Sequence, residues 1–444
     1  MAPSKTRRAA PRGRRGAGRP AKTRRAAAPQ PIEYRILLTA TLCLLAAGAV
    51  MVYSASSARD LLGGHGDGSA YLERYVVFGA IGLVLMRYLS RHGLEAVRQA
   101  TPVLLAIAFA GVVAVMLPGI GVEVNGARRW IGVPPLQFQP SELMKLALVL
   151  YAAQLLAARP SQRNLRELAS PLLVIAAAGS ALVAIEPDLG TALVIGLTLA
   201  SLMVAAGVPV RQLALLGALG AVAVIVFALM EPYRRARLTA FVNPWADAGG
   251  TGFQAVQGQI ALGSGGLLGV GLGQSVQKVF YLPEAHTDFI LAVIGEELGV
   301  AGVCGVLFLY GMIAHAGLRA ARAARDRYAQ LLAVGVTAMI LCQAAVNVFA
   351  VLGLAPLTGV PLPFISYGSS NLLVLLAAMG LLLNVAGGGT VSLRLVHGRG
   401  NARRASPRRT ASQTVLDVDA DRDRRRRNRR TRGARAGGRR RAAR

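Results

Sequence analysis

Charge is what this sequence lacks. Only 16% of its 444 residues are Asp, Glu, Lys or Arg, and 54% are hydrophobic. Soluble domains carry about 25% charge, so a water-soluble globule is excluded. The charge that exists is displaced to the ends. Residues 1–35 hold 11 Lys/Arg against one acid, and residues 394–444 hold 19 Arg against four Asp, so the two ends carry +25 of the formal +29. Runs of like charge repel and bury too little apolar surface to offset ordering, so both ends read as solvated, disordered tails able to touch anionic lipid. Nucleic acid is a poor partner despite a pI near 11.5, because the Arg runs lack interleaved aromatics and no nucleic-acid-binding fold accompanies them.

Other absences narrow the function. The three cysteines, Cys43, Cys304 and Cys342, sit singly inside apolar runs with no CxxC or metal-ligand spacing, and read as small buried hydrophobes. There is no GxxxxGK[ST], GxSxG or HExxH. The stretch GVGLG at 269–273 belongs to no βαβ unit, so an ATP-driven pump is disfavoured. No repeat stands out. His65, His92, His315 and His397 are isolated in sequence, and no metal site is assigned.

What is present is a series of long apolar runs. Ten are of bilayer-spanning length: 36–54, 73–90, 102–118, 142–158, 169–185, 189–207, 211–230, 287–316, 329–354 and 370–389. The expected fold is therefore all-α, a polytopic membrane bundle of about ten helices. The first run follows a long basic leader and is followed at once by others, so it reads as a signal anchor rather than a cleaved peptide. With a cytoplasmic N-terminus, Arg87, Arg91 and Arg98, then Arg159, Arg163 and Arg166, then Arg211, then Arg319, Arg322, Arg325 and Arg327 all fall on inner loops. Both termini are then cytoplasmic. Residues 248–277 are uncharged but rich in Gly and Gln, which suits a lipid-facing helix badly. They are assigned to a large outer loop, 231–286, lying on the bundle mouth. The domain plan is a basic tail (1–35), a transmembrane domain (36–390) and an Arg-rich tail (391–444).

Polar residues at bilayer depth are costly and call for a reason. Four clusters qualify. In 125–146, Glu142 and Lys145 are i,i+3 on one helix face, with Arg128 and Arg129 nearby; they form either an ion pair or a site for an anionic or sugar-bearing headgroup, since Arg offers a planar fork of donors. In 186–191, Glu186 and Asp188 flank a Pro turn, and Asp188 is placed to cap the next helix. In 278–299 lie Lys278, Glu284, His286, Asp288, Glu296 and Glu297, with Asp288 expected at the start of the eighth helix. First-turn acids complement a helix dipole, but that does not account for so many. In 361–371, PLPFISYGSSN supplies Ser366 and further hydroxyls, suited to sugars or to capping. These clusters leave two classes open: a transporter, or an enzyme acting at the outer surface on a lipid-linked substrate. Transporters place polar groups near the midplane, whereas here they gather at one mouth.

The motifs NGARRWI, QPSELMKL, YLPEAHTDFI, GEELG and PLPFISYG closely resemble the SEDS family (shape, elongation, division, sporulation) of bacterial wall synthesis, over about residues 35–390. GSGGLLGVGLGQSVQK before HTDFI and VIGEELG after it resemble the division-type FtsW branch more than the elongation-type RodA branch. The resemblance implies a peptidoglycan glycosyltransferase that polymerises lipid II at the outer face of the cytoplasmic membrane, at the division septum. It implies a class B penicillin-binding protein and other divisome membrane proteins as partners. It places the family's essential aspartate at Asp288. An ordinary aspartate is ionised at neutral pH and so ready to take the proton of the acceptor 4-hydroxyl as it displaces undecaprenyl pyrophosphate. The leaving group needs positive charge, from Arg128, Arg129, Lys145, Arg234, Arg235 or Lys278, or from a divalent cation (Mg or Mn). Glu142, Glu284, His286 and Ser366 complete the expected substrate-binding set. Lipid II flipping and an elongation-type polymerase are the alternatives. The family usually reads SYGG where this chain has Ser369 as the fourth residue; a positive φ there would strain a serine.

Deleting residues before about 30 and after about 400 is expected to leave in vitro polymerisation intact, since solvated charge takes no part in the chemistry. Loss of glycan synthesis by the truncated chain would show that the tails contribute.

Overall fold

A computed structural model of the chain describes residues 30–62, 69–124, 127–133, 136–159, 169–230, 235, 240–278, 282 and 285–388. Both tails beyond these limits, with Arg163, Arg166, Arg234 and Glu284, lie outside the described residues. A helix stands at each of the ten expected positions. They are α1 (Ile32–Leu62), α2 (Ala70–Arg91), α3 (Leu94–Met116), α4 (Pro140–Ala158), α5 (Val174–Ile185, entered through a π turn, Ala169–Leu173), α6 (Leu189–Ala206) and α7 (Val210–Met230). After α8 (Phe253–Ser264), which lies in the long connection between α7 and α9, come α9 (Ile290–Ala323), α10 (Arg327–Val351) and α11 (Ser369–Ala386). Seven are long and apolar enough to cross a membrane: α1, α3, α4, α6, α9, α10 and α11. The chain is a multi-pass membrane protein. The all-helical expectation needs one addition, a three-stranded antiparallel sheet of β1 (Gly121–Val124), β2 (Ala127–Val133) and β3 (Leu136–Phe138) between α3 and α4.

Burial orders the bundle. The apolar stretch of α11 is 89% buried and that of α3 only 28%. A helix apolar on every side belongs inside, and α11 packs against α2, α9, α10 and α4. Lipid supplies no hydrophobic drive between helices, so close backbone approach does the work; a Cβ at Gly380 of α11 would lie 2.6 Å from the Met86 carbonyl of α2. The peripheral helices show large apolar side chains outward, such as Val103 (62% exposed) and Leu215 (73%). The cysteines depart from expectation in the same way: Cys43 and Cys304 are exposed and Cys342 is half-buried. In lipid an outward face is as apolar as the core, so an apolar run does not imply burial.

Helix α9 spans 34 residues but is broken at Gly299 (φ 65°, ψ −165°), a conformation essentially confined to glycine. The Gly-rich stretch of the connection between α7 and α9 fills the break. Val270 N donates to the Glu296 carbonyl (2.9 Å) and Gly271 N to that of Glu297 (3.0 Å), while Val300 and Ala301 donate to the Gly266 and Leu267 carbonyls (3.0 and 3.1 Å). A Cβ at Gly299 would meet Gly269 N at 2.4 Å, and one at Gly269 would meet the Glu297 carbonyl at 2.1 Å. The glycines of 265–273 are thus the space through which the loop reaches the opened helix.

Gly299→Ala is expected to cost roughly 2–4 kcal/mol, read as a lowered melting temperature in detergent. Gly263→Ala, in α8 with open space around its Cβ, should be neutral or slightly stabilising. Equal effects of the two would refute the interlock.

Candidate functional site

The four polar clusters converge at the end of the bundle where α4, α6, α9 and α11 begin. The sheet docks there first. Ser369 Oγ and Ser370 Oγ donate to the Gln137 carbonyl (3.3 and 3.4 Å), and Gln139 N donates to Ser370 Oγ (2.9 Å). Ser369 therefore stands at the first turn of α11 with no positive φ; the left-handed non-glycine residues among those described are Pro187 and Phe364. From β2, Arg129 donates to the Glu186 carbonyl (3.3 Å) and the Pro187 carbonyl. Arg128 pairs with Glu123 at 3.2 Å, both half-exposed at the surface. Asp188 caps α6, as its turn position suggests: its carboxylate accepts from Thr191 N (3.1 Å), Gln139 Nε2 (3.0 Å) and Ser141 Oγ (3.3 Å).

Below this rim, Lys145 and Glu142 form a buried ion pair at 2.9 Å, each 2% exposed. Lys145 Nζ also donates to Gln343 Oε1 (2.7 Å), and Gln343 Nε2 donates to the Pro361 carbonyl and Asn371 Oδ1 (2.9 Å each). Four residues along α10, Asn347 donates to the main-chain carbonyls of Asp288 (2.7 Å) and Val360 (2.8 Å). Gln343 and Asn347 escaped the sequence reading, although two amides at i,i+4 within an apolar span are the signal that marked the other clusters.

Asp288 lies in the turn that leads into α9, whose first residue is Ile290 rather than the expected Thr287. The turn is clamped from behind by Asn347 and by Tyr367 N, which donates to the His286 carbonyl (3.0 Å). His286 is buried between Tyr71 and Tyr367, with ring centroids 4.3 and 5.7 Å away. Thr287 Oγ1 is 3.2 Å from Asp288 Oδ1, and Gly359 (φ 70°) faces Asp288 Oδ2, where a Cβ would sit 3.9 Å away. Asp288 is half-buried. By contrast Glu142, Glu186, Asp188, Glu296 and Glu297 are at most 4% exposed.

Four residues of the sequence clusters, Lys278, Glu296, Glu297 and Ser366, are built into the frame. Lys278 Nζ pairs with Glu297 at 2.8 Å and donates to Ser54 Oγ (3.0 Å) and the Gly273 carbonyl (2.8 Å). Glu297 accepts from Ser54 as well (2.7 and 2.8 Å), and Glu296 accepts from Ser275 Oγ and Val276 N. These acids anchor the Gly-rich loop. Ser366 Oγ accepts from Leu362 N (2.8 Å) and closes the 362–366 turn. Among the described residues no group of three or more His, Cys, Asp or Glu side chains could hold a metal.

Neither carboxyl oxygen of Glu186 has a hydrogen-bond partner among the described residues. Burial pushes its pKa up to about 8; the Asp188 charge adds to the rise and Arg129 opposes it. Neutral in the fold at pH 7, Glu186 ionises in the unfolded chain above about 4.5. Its contribution is thus fully present below that value and is lost as pH rises to about 8. Glu186→Gln is expected to remove this slope, at most about 1.4 kcal/mol per pH unit, seen by melting both proteins across the range. A pH-independent difference would mean that the carboxyl is ionised in the fold.

Residues 35–388 match the family of FtsW, RodA and SpoVE, described as cell cycle protein. Stage V sporulation protein E of Bacillus subtilis is 40% identical over 355 residues, which is 79% of this chain and 96% of that protein. The probable peptidoglycan glycosyltransferase FtsW of Geobacter sulfurreducens is 40% identical over 354 residues, 79% of this chain and 94% of the relative. Among solved structures, a chain of a peptidoglycan synthase complex that coordinates polymerization and crosslinking matches with a TM-score of 0.64 at 31% identity, covering 79% of this chain and 96% of that one. The Thermus thermophilus rod shape determining protein RodA matches with a TM-score of 0.58 at 28% identity, covering 79% and 95%.

Proposed function

From a chain that belongs to the FtsW/RodA/SpoVE family of cell cycle proteins, we propose a peptidoglycan glycosyltransferase that polymerises lipid II at the outer face of the cytoplasmic membrane, with Asp288 as general base. The observation that carries this reading is burial. Among the described acids at the mouth, Asp288 is half-buried, Glu123 is exposed but paired with Arg128, and Glu142, Glu186, Asp188, Glu296 and Glu297 are sealed in the frame. A base must touch an incoming hydroxyl, and a sealed carboxylate does not.

The acceptor 4-hydroxyl loses its proton to the Asp288 carboxylate as its oxygen attacks the donor anomeric carbon. The bond from that carbon to the pyrophosphate oxygen breaks on the opposite face, and undecaprenyl pyrophosphate leaves with the bonding pair. The arginines of β2, half-exposed Arg128 above all, suit the developing phosphate charge better than Lys145 and Lys278, whose ammonium groups are held in buried ion pairs. The names of the FtsW relatives favour a role in division, at the septum. The synthase complex among the structural relatives favours a transpeptidase partner of the class B penicillin-binding type.

In a reconstituted assay with lipid II and the partner, Asp288→Asn is expected to lower glycan synthesis by about 10²–10⁴-fold, the usual worth of a general base, with the protein still folded. Near wild-type synthesis by that variant would remove Asp288 from the role. A wild type that makes no glycan yet moves headgroups across vesicles would instead establish the flippase.

A further inference from the structure

The opposite end of the bundle holds a cavity that the reaction at the mouth does not use. Its volume is about 500 Å³, and Glu33, His315, Leu318, Arg319, Arg322 and Ala323 line it. It sits between the first turn of α1 and the last turns of α9. Ile290 and Ala323 bound a 34-residue helix, so at 1.5 Å per residue this end lies some ~50 Å of chain from the Asp288 turn.

The lining has two characters. One side is basic. Arg319 Nε pairs with Glu33 at 3.1 Å, and the Arg319 side chain remains 56% exposed. Arg322, one turn on, is exposed and makes no ion pair among the described residues. His315, one turn back and also exposed, adds a ring nitrogen. Glu33 neutralises one guanidinium at most, so the cavity keeps a net positive charge. The other side is apolar: Leu318 is 42% exposed, and Ala323 completes the lining. A ligand that satisfies both sides carries a negative group joined to hydrocarbon. Positive residues mark the cytoplasmic side of a membrane protein, and basic pockets between helices on that side accept phosphate headgroups of anionic lipids.

We propose that this cavity is a binding site for the phosphate of an anionic phospholipid of the cytoplasmic leaflet. Arg319 and Arg322 supply the fork of donors that suits phosphate, and the acyl chains run along Leu318 and Ala323. Glu33 competes with the phosphate for Arg319 and so sets the affinity. A free phosphate ion would use the arginines but gain nothing from the apolar rim.

The test is lipid retention by the full chain, measured by native mass spectrometry from micelles doped with phosphatidylglycerol or phosphatidylcholine. The wild type should retain phosphatidylglycerol in preference. Arg319→Gln with Arg322→Gln should abolish the preference, since each arginine is worth roughly fivefold near an anionic surface. Glu33→Gln should raise phosphatidylglycerol retention severalfold, an increase that a misfolded protein would not show. Arg91→Gln, at the basic end of α2 but outside the cavity, should change nothing. The proposal is overturned if the double variant keeps the preference, if Glu33→Gln fails to raise retention, if Arg91→Gln lowers it as much, or if millimolar inorganic phosphate displaces the lipid.

Discussion

The geometry of the mouth depends on one buried ammonium, that of Lys145. It lies between the Glu142 carboxylate and Gln343 Oε1, and a Lys ammonium offers only donors. That fixes the polarity of everything beyond it. Gln343 must give its oxygen to Lys145, so its amide nitrogen faces the other way and donates to the Pro361 carbonyl and Asn371 Oδ1. Pro361 opens the turn whose far end, Tyr367, holds the His286 carbonyl. A chain of oriented groups therefore runs from a charge in α4, through α10, to the residues beside Asp288. Removing one partner of such a pair costs about 3–5 kcal/mol, because it strands the other charge in an apolar medium. Replacing both partners by apolar residues is often neutral for stability, so the benefit here is orientation.

A second buried pair, Lys278 with Glu297, does the same for the connection between α7 and α9. The loop is rich in glycine and could take many conformations, yet it meets α9 at a break that only it completes. Backbone bonds to the carbonyls of Glu296 and Glu297 set its register, and the carboxylates of the same two residues hold Ser275, Val276 and Lys278. The break at Gly299 thus supplies both the vacant carbonyls and the pair of acids that dock the loop. Two lysines that look like anion-binding groups in the sequence are committed to the frame instead, and the positive charge near the surface is arginine.

The helices were legible because a bilayer imposes a length on each apolar run, and the basic residues cluster at run ends. Asp188 was legible as a cap because capping is local. The contacts that converge the clusters were not, since each joins residues far apart in the chain. Gln139 meets Ser370, Arg129 meets Glu186, and Lys278 meets Ser54. The small sheet was hidden because short strands with Gly and Pro between them carry little periodicity. The cysteines misled because burial was inferred from hydrophobicity, and lipid removes that link. Asp288 itself was placed by the resemblance of its motif. Its physical distinction, partial exposure among sealed acids, belongs to the fold.

That distinction explains why the aspartate stands on a turn rather than within a helix. A carboxylate on the first turn of α9 would be drawn into capping or sealed among the helices, as Asp188 is at α6. Two residues earlier it stays half-buried, outside the helix. A turn is ordinarily too mobile for catalysis, which needs reacting groups held within a fraction of an ångström. Here Asn347, on a buried span, donates to the Asp288 carbonyl and to that of Val360 with the same amide, so the turn and the segment opposite share one anchor. The polar residues deep in the bundle therefore hold the turn from behind through its main chain and leave the Asp288 carboxylate only half-buried.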